Sequence, residues 1–159
     1  MVLRCQATRM NQTTDVLCST QIAGLSCRTN HERAMQDIAA LWEEVRAAGL
    51  LAHCTEAWAL YHDYQLTSGG YEVTVTVGAS VMANSKQSGS VLTVPPQSCV
   101  RLSTDGSIAQ VADAWQKVWT MWPDGGPRTF VMDAERWILG PNGTPTSADI
   151  FVGVRTSER

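Results

Sequence analysis

The side chains best suited to chemistry in this chain gather in one short run, Asp133-Ala134-Glu135-Arg136-Trp137. Along an extended segment, side chains alternate between two faces. Val131, Asp133, Glu135 and Trp137 therefore share one face, and Phe130, Met132, Ala134 and Arg136 take the other. A carboxylate walled by aromatic rings is costly when unpaired, so a protein that keeps one there is expected to meet it with a cation. Such a place suits a lipophilic cation: each ring face offers about 0.5–2 kcal/mol of cation–π attraction, and the pull of the carboxylate grows as water leaves. Met132 would add a side chain that adapts to irregular ligand shapes. The plainer alternative is a Glu135 that is solvated, or paired with Arg128 or Arg155.

The remaining rings stand where a repeat would bring them to that acid. Trp42 lies in a stripe Ile38, Leu41, Trp42, Val45 and is followed 22 residues later by Tyr64; Trp115 lies in a stripe Val111, Ala114, Trp115, Val118, with Trp119 one turn on, and is followed 22 residues later by Trp137. Helical aromatic stripes are commonly core. The equal spacing also implies two copies of one supersecondary unit, which meet across a pseudo-two-fold axis with a cleft between them. In that register His62 of the first copy stands level with Glu135 of the second. The candidate ligand-binding set is thus Glu135, Asp133, Trp42, Trp115, Trp119, Trp137, Tyr64 and His62, with no catalytic residue assigned.

The elements that must position these residues follow from periodicity. Residues 16–28 read as a first strand; Asn30 is placed to cap a helix whose stripe begins at Met35 and which Gly49 stops. Residues 57–65 and 71–77 alternate about the Ser68-Gly69-Gly70 turn, as a hairpin does. The polar stretch 82–90 links the halves. Residues 91–103 form a strand that Pro95-Pro96 would place at a bulge or sheet edge. Ser107 then caps a second helix that Pro123-Asp124-Gly125-Gly126 ends, and residues 129–138 and 149–155 close a hairpin across Gly140-Pro141-Asn142-Gly143. Strand, helix, strand, strand, twice over, is an α+β fold with helices against an antiparallel sheet.

Composition narrows the function classes. At 159 residues the chain suits one domain, taken as 16–157 with halves of about 16–81 and 91–157, behind a polar leader 1–15 open to disorder. A net charge of -3 without a basic run argues against nucleic acid as a partner. The sequence holds no stretch near the roughly 20 apolar residues that span a bilayer and no signal-peptide core. Five cysteines without a CxxC pair point to a reducing, cytoplasmic setting. His31, His53 and His62 lack metal-ligand spacing, the adjacent His53 and Cys54 lack the opposition a nucleophile and base need, and the glycine turns lack a phosphate-loop lysine. No metal and no cofactor are expected.

Across residues 21–155 the chain resembles the GyrI-like effector-binding family, which includes drug-sensing domains of multidrug-responsive transcription regulators. The likeness rests on Gln21-Ile22-Ala23-Gly24-Leu25, Leu41-Trp42, the segments 61–64 and 71–78, Val94-Pro95, Ala114-Trp115, and Phe130, Asp133, Glu135 and Trp137 ahead of 149–154. The resemblance implies a duplicated strand-helix-strand-strand fold and an acidic, aromatic pocket for cationic or amphipathic small molecules. Glu135 stands where that pattern has its pocket glutamate, and Trp137 where it more often has tyrosine. With no helix-turn-helix module, the chain is expected to act as a standalone binding protein. Hydrolysis of strained-ring genotoxins by the pocket carboxylate, or modulation of a protein partner in the manner of gyrase inhibitors, are the alternatives the resemblance leaves open.

Overall fold

The computed structural model describes residues 12–81 and 90–156, so most of the polar leader and of the expected link at 82–90 lies outside the described residues. Ten elements follow in order: β1 (Gln12–Leu17), β2 (Thr20–Asn30), α1 (Ala34–Ala47), β3 (Glu56–Thr67), β4 (Gly70–Ser80), β5 (Ser90–Val94), β6 (Gln97–Thr104), α2 (Ile108–Met121), β7 (Arg128–Leu139) and β8 (Pro145–Val154). The strands form one antiparallel sheet in the order β1-β6-β8-β7-β3-β4-β2-β5.

That order reads alike from either side of the β3–β7 seam, where Glu56 faces Ile138 and His62 faces Met132. Each half folds as strand, helix, strand, strand, as the repeat requires. The leading strands hold a correction. Residues 16–28 are not one strand but break at Cys18-Ser19, and residues 12–15 of the supposed leader belong to β1, which pairs with β6 of the other half. Likewise Pro95-Pro96 separate 91–103 into β5, which pairs with β2, and β6. Each half thus lends its leading strand to the edge of the other. A proline carries no N–H for a ladder, so the sequence breaks where the chain changes neighbours.

Both helices lie on one face. Leu41 and Val45 of α1 pack on Ala59, Val73, Val75 and Val77; Val111, Ala114 and Val118 of α2 pack on Ala57, Trp137, Ala148 and Ile150. Trp42 and Leu51 touch both clusters and join them. The face away from the helices buries its own core, in which Leu17 of β1 meets Val94 of β5 with Trp58, Leu60, Met132 and Phe151. Strands at opposite edges can share one cluster only if the sheet curls. Where β2 crosses β4, Gly24 opposes Gly78, and a Cβ on either would collide with backbone of the other strand.

The helix ends follow their side chains. Ser107 Oγ accepts the Gln110 N–H at 3.2 Å and caps α2. Asn30 does not cap α1; its side-chain oxygen accepts the Glu32 and Arg33 N–H groups at 3.0 Å each in the turn that leads in. Gly49, at φ 72°, closes α1. Among the described residues no helix is long and apolar enough to cross a membrane.

Two bulges shape what lies on the helix face. β3 slips register between His62 and Gln65, with Asp63 at φ 51°; β7 slips between Arg128 and Asp133, with Phe130 at φ 54°. Both lie at the same end of the seam. There the ladder between the central strands ends, and Tyr64 and Phe130 beside the bulges pack together.

Candidate functional site

Glu135 lies on β7 beside Ala59 of β3 and Ile150 of β8. The small Ala57 and Ala59 leave room over this part of the sheet, and three rings converge there. Glu135 Oε1 accepts Tyr61 Oη–H and Trp115 Nε1–H, each at 2.7 Å, and Oε2 accepts Trp137 Nε1–H at 2.9 Å. The residue is 4% exposed. Among the described residues it makes no ion pair. Burial pushes its carboxyl above the ordinary glutamate range, while the hydrogen bonds from Trp115, Tyr61 and Trp137 pull the other way by favouring the ionised form. Burial, and then the carboxylate itself, hold the Tyr61 phenol well above its usual value. Tyr61 and Trp115 lie 5.2 Å apart, and Trp42 meets Trp137 edge-on at 5.8 Å. Trp42, Tyr61 and Trp115 are half-buried around an acid that is almost fully buried.

Asp133, two residues earlier on the same face, has a different environment. It is fully buried; Oδ2 accepts Tyr64 Oη–H at 2.7 Å and Arg128 Nη2–H at 2.8 Å, and Oδ1 accepts the Gly153 N–H at 2.9 Å. Arg128 is 1% exposed, and its guanidinium carbon lies 4.3 Å from the Phe130 ring centre, 4.5 Å from Trp119 and 5.9 Å from Tyr64. Tyr71 stacks on Trp119 at 5.2 Å with the planes within 5°. Tyr64 stands edge-on to both Phe130 and Tyr71. The result is an aromatic cage with a cation already inside it.

The structure therefore brings Glu135, Trp42, Trp115 and Trp137 together, and gathers Asp133, Tyr64 and Trp119 around Arg128 next door. His62 belongs to neither group. Its Nε2 is 2.9 Å from Thr76 Oγ1 and its Nδ1 3.0 Å from Asp63, on the face turned away from the helices. The 22-residue register that set His62 level with Glu135 ignores strand parity. Before the bulge at Asp63, it is Tyr61 that shares the face of Ala59, Val75 and the helices. Met132 also lies on the far face, packed with Leu60 and Ala134, and cannot adapt to a ligand over Glu135.

Sequence reasoning missed Tyr61, Tyr71, Phe130 and the role of Arg128. Alternation assigns Phe130 to the face opposite Asp133, and only its left-handed backbone returns it to the cage. A signal for the β3 bulge was present: Tyr61 and Tyr64, three apart, share a face in a strand only if one residue is inserted. Arg128 pairs with Asp133 rather than with Glu135.

The family profile of the GyrI-like small molecule binding domain matches residues 17–135. The chain belongs to the GyrI-like family. Its fold recurs in an integron cassette protein from the mobile metagenome of Vibrio cholerae, VCH_CASS2, at 21% identity over 91% of this chain and 95% of that one, with a TM-score of 0.70. SAV2435, solved bound to tetraphenylphosphonium, shares 15% identity over 92% of this GyrI-like chain and 94% of its own, also with a TM-score of 0.70. The C-terminal domain of EcmrR is similar at 15% identity over 94% and 99% of the two chains, with a TM-score of 0.54. At such identities the likeness is one of fold. A search of curated proteins returns no match.

Proposed function

We propose that this GyrI-like chain binds cationic or amphipathic small molecules, with the ligand charge above Glu135 and its apolar parts against Trp42, Tyr61 and Trp115. One observation carries the reading: a carboxylate 4% exposed, held by three neutral donors and, among the described residues, by no ion pair. Neutral donors satisfy the lone pairs without cancelling the charge. The negative field is left to act on whatever enters, in surroundings too dry to screen it.

A ligand that offers charge without hydrogen-bond donors suits this arrangement, because the oxygens of Glu135 are largely taken by donors while aromatic rings surround them. Tetraphenylphosphonium, the molecule bound to SAV2435, is of that kind. Titration with tetraphenylphosphonium should quench tryptophan fluorescence saturably, and Glu135→Gln should weaken the effect. A flat titration in the unmodified chain would sink the proposal. A strained-ring electrophile turned over by the chain, with turnover lost in Glu135→Gln, would move the reading from binding to hydrolysis.

A further inference from the structure

We infer that Arg128 is a resident cation: it fills the cage beside Glu135 as a ligand would, and restricts the ligand accepted over Glu135 to one positive charge. The charge limit rests on the binding proposed over Glu135; the residency of Arg128 does not.

A guanidinium carries five N–H donors, and a buried arginine normally spends them on acceptors. Here Nη2 meets Asp133, whereas Nε and Nη1 are buried without a hydrogen-bond partner. What surrounds the guanidinium is ring: Phe130 at 4.3 Å and Trp119 at 4.5 Å, both well inside the roughly 6 Å reach of cation–π attraction. One carboxylate and several aromatic faces are also what a bound organic cation would receive. The β7 bulge supplies this arrangement by carrying Phe130 back across the strand.

The charge limit follows from counting. Asp133 and Glu135 lie two positions apart on one strand face, roughly 7 Å, and would together attract a dication. Arg128 cancels Asp133 and leaves one negative charge. At the outer rim Arg46, over the Trp42 ring at 5.6 Å, is already paired with Glu43 at 3.1 Å. A monocation neutralises the charge of Glu135; a dication leaves an excess charge where water screens it poorly.

Phenyltrimethylammonium and its para-bis(trimethylammonium) analogue present one ring with one or two charges. By fluorescence titration the unmodified chain should favour the monocation at least tenfold. Arg128→Ala should shift that ratio at least tenfold toward the dication, and Arg128→Ala with Asp133→Asn, which restores the charge count, should return it. Ethylguanidinium at millimolar concentration should raise the thermal midpoint of Arg128→Ala, and not that of the unmodified chain or the double variant. This readout needs no drug and covers a variant that is partly unfolded. No rescue by ethylguanidinium overturns residency, and an unchanged ratio in Arg128→Ala overturns the charge limit. If neither ammonium ion binds the unmodified chain, the charge limit falls with the proposed function, while the rescue still decides residency.

Discussion

Replacing Glu135 by glutamine removes one charge and almost no volume, and sets an amide NH2 against a donor that a carboxylate oxygen accepts, so a neutral ligand is needed beside the charged one to separate the loss of charge from the loss of that hydrogen bond. The structure sets how near a ligand charge can come. Both carboxylate oxygens are capped by donors at 2.7 to 2.9 Å, and two of those donors are indole edges. A cation must therefore sit beyond them, roughly 5–6 Å from the carboxylate, where an effective dielectric of about 20 gives an attraction of about 3 kcal/mol. At about 1.4 kcal/mol per tenfold in affinity, Glu135→Gln should weaken an aryl phosphonium cation about a hundredfold. A neutral tetraaryl compound of the same shape should bind the two chains within about threefold. Calorimetric titration of both ligands into both chains measures this, with the near-ultraviolet spectrum confirming an intact aromatic core. Equal losses for charged and neutral ligands would mean that the substitution acted on packing. An undiminished phosphonium affinity would mean that the charge of Glu135 takes no part.

Acid titration should show two opposed slopes. The folded-state pKa of Glu135 is raised, so the free chain loses stability as pH rises from the ordinary glutamate range through that higher value, and Glu135→Gln should abolish this slope in urea midpoints. Burial alone would raise the Asp149 pKa, but hydrogen bonds from Ser103, Arg136 and Arg101 outweigh it and hold it below the usual range; its stabilisation is present above the ordinary aspartate pKa and should disappear as pH falls through the lower value, and Asp149→Asn should lack both that stabilisation and its slope. Trp115→Phe keeps a ring but removes a 2.7 Å donor to a charged oxygen, and should cost about 1.5–3 kcal/mol in denaturant unfolding; a cost near zero would show that the hydrogen bond contributes nothing net. Gly78→Ala drives a methyl group into the Ala23 carbonyl of β2 and should destabilise the chain by about 1–3 kcal/mol, whereas an unchanged thermal midpoint would show that the β2–β4 crossing can part without penalty.

Local periodicity was enough for the frame. The stripes of α1 and α2, the alternation of Tyr71, Val73, Val75 and Val77, and the cap at Ser107 are properties of neighbours in the chain, so each element was legible in its own stretch. The exchange of leading strands was not. A strand shows which face is apolar but not which neighbour it pairs with, and the break at Pro95-Pro96 marks a change of partner without naming the new one.

The same division runs through the candidate site. Sequence alone determined that Glu135 shares a face with Asp133 and Trp137, because side chains two apart on a strand must. Only the tertiary structure decided which rings surround them. The bulges at Asp63 and Phe130 shift parity on β3 and β7, which brings Tyr64 and Phe130 to the helix face that Tyr61 already shares by alternation, while His62 stays on the far side. It also decided which carboxylate received the arginine: Arg128 and Asp133 meet around a bulge, leaving Glu135, two residues away, with hydrogen bonds and no counter-charge among the described residues. Charge pairing at that range depends on where the register of β7 against β8 slips between Arg128 and Asp133, which composition and spacing do not encode.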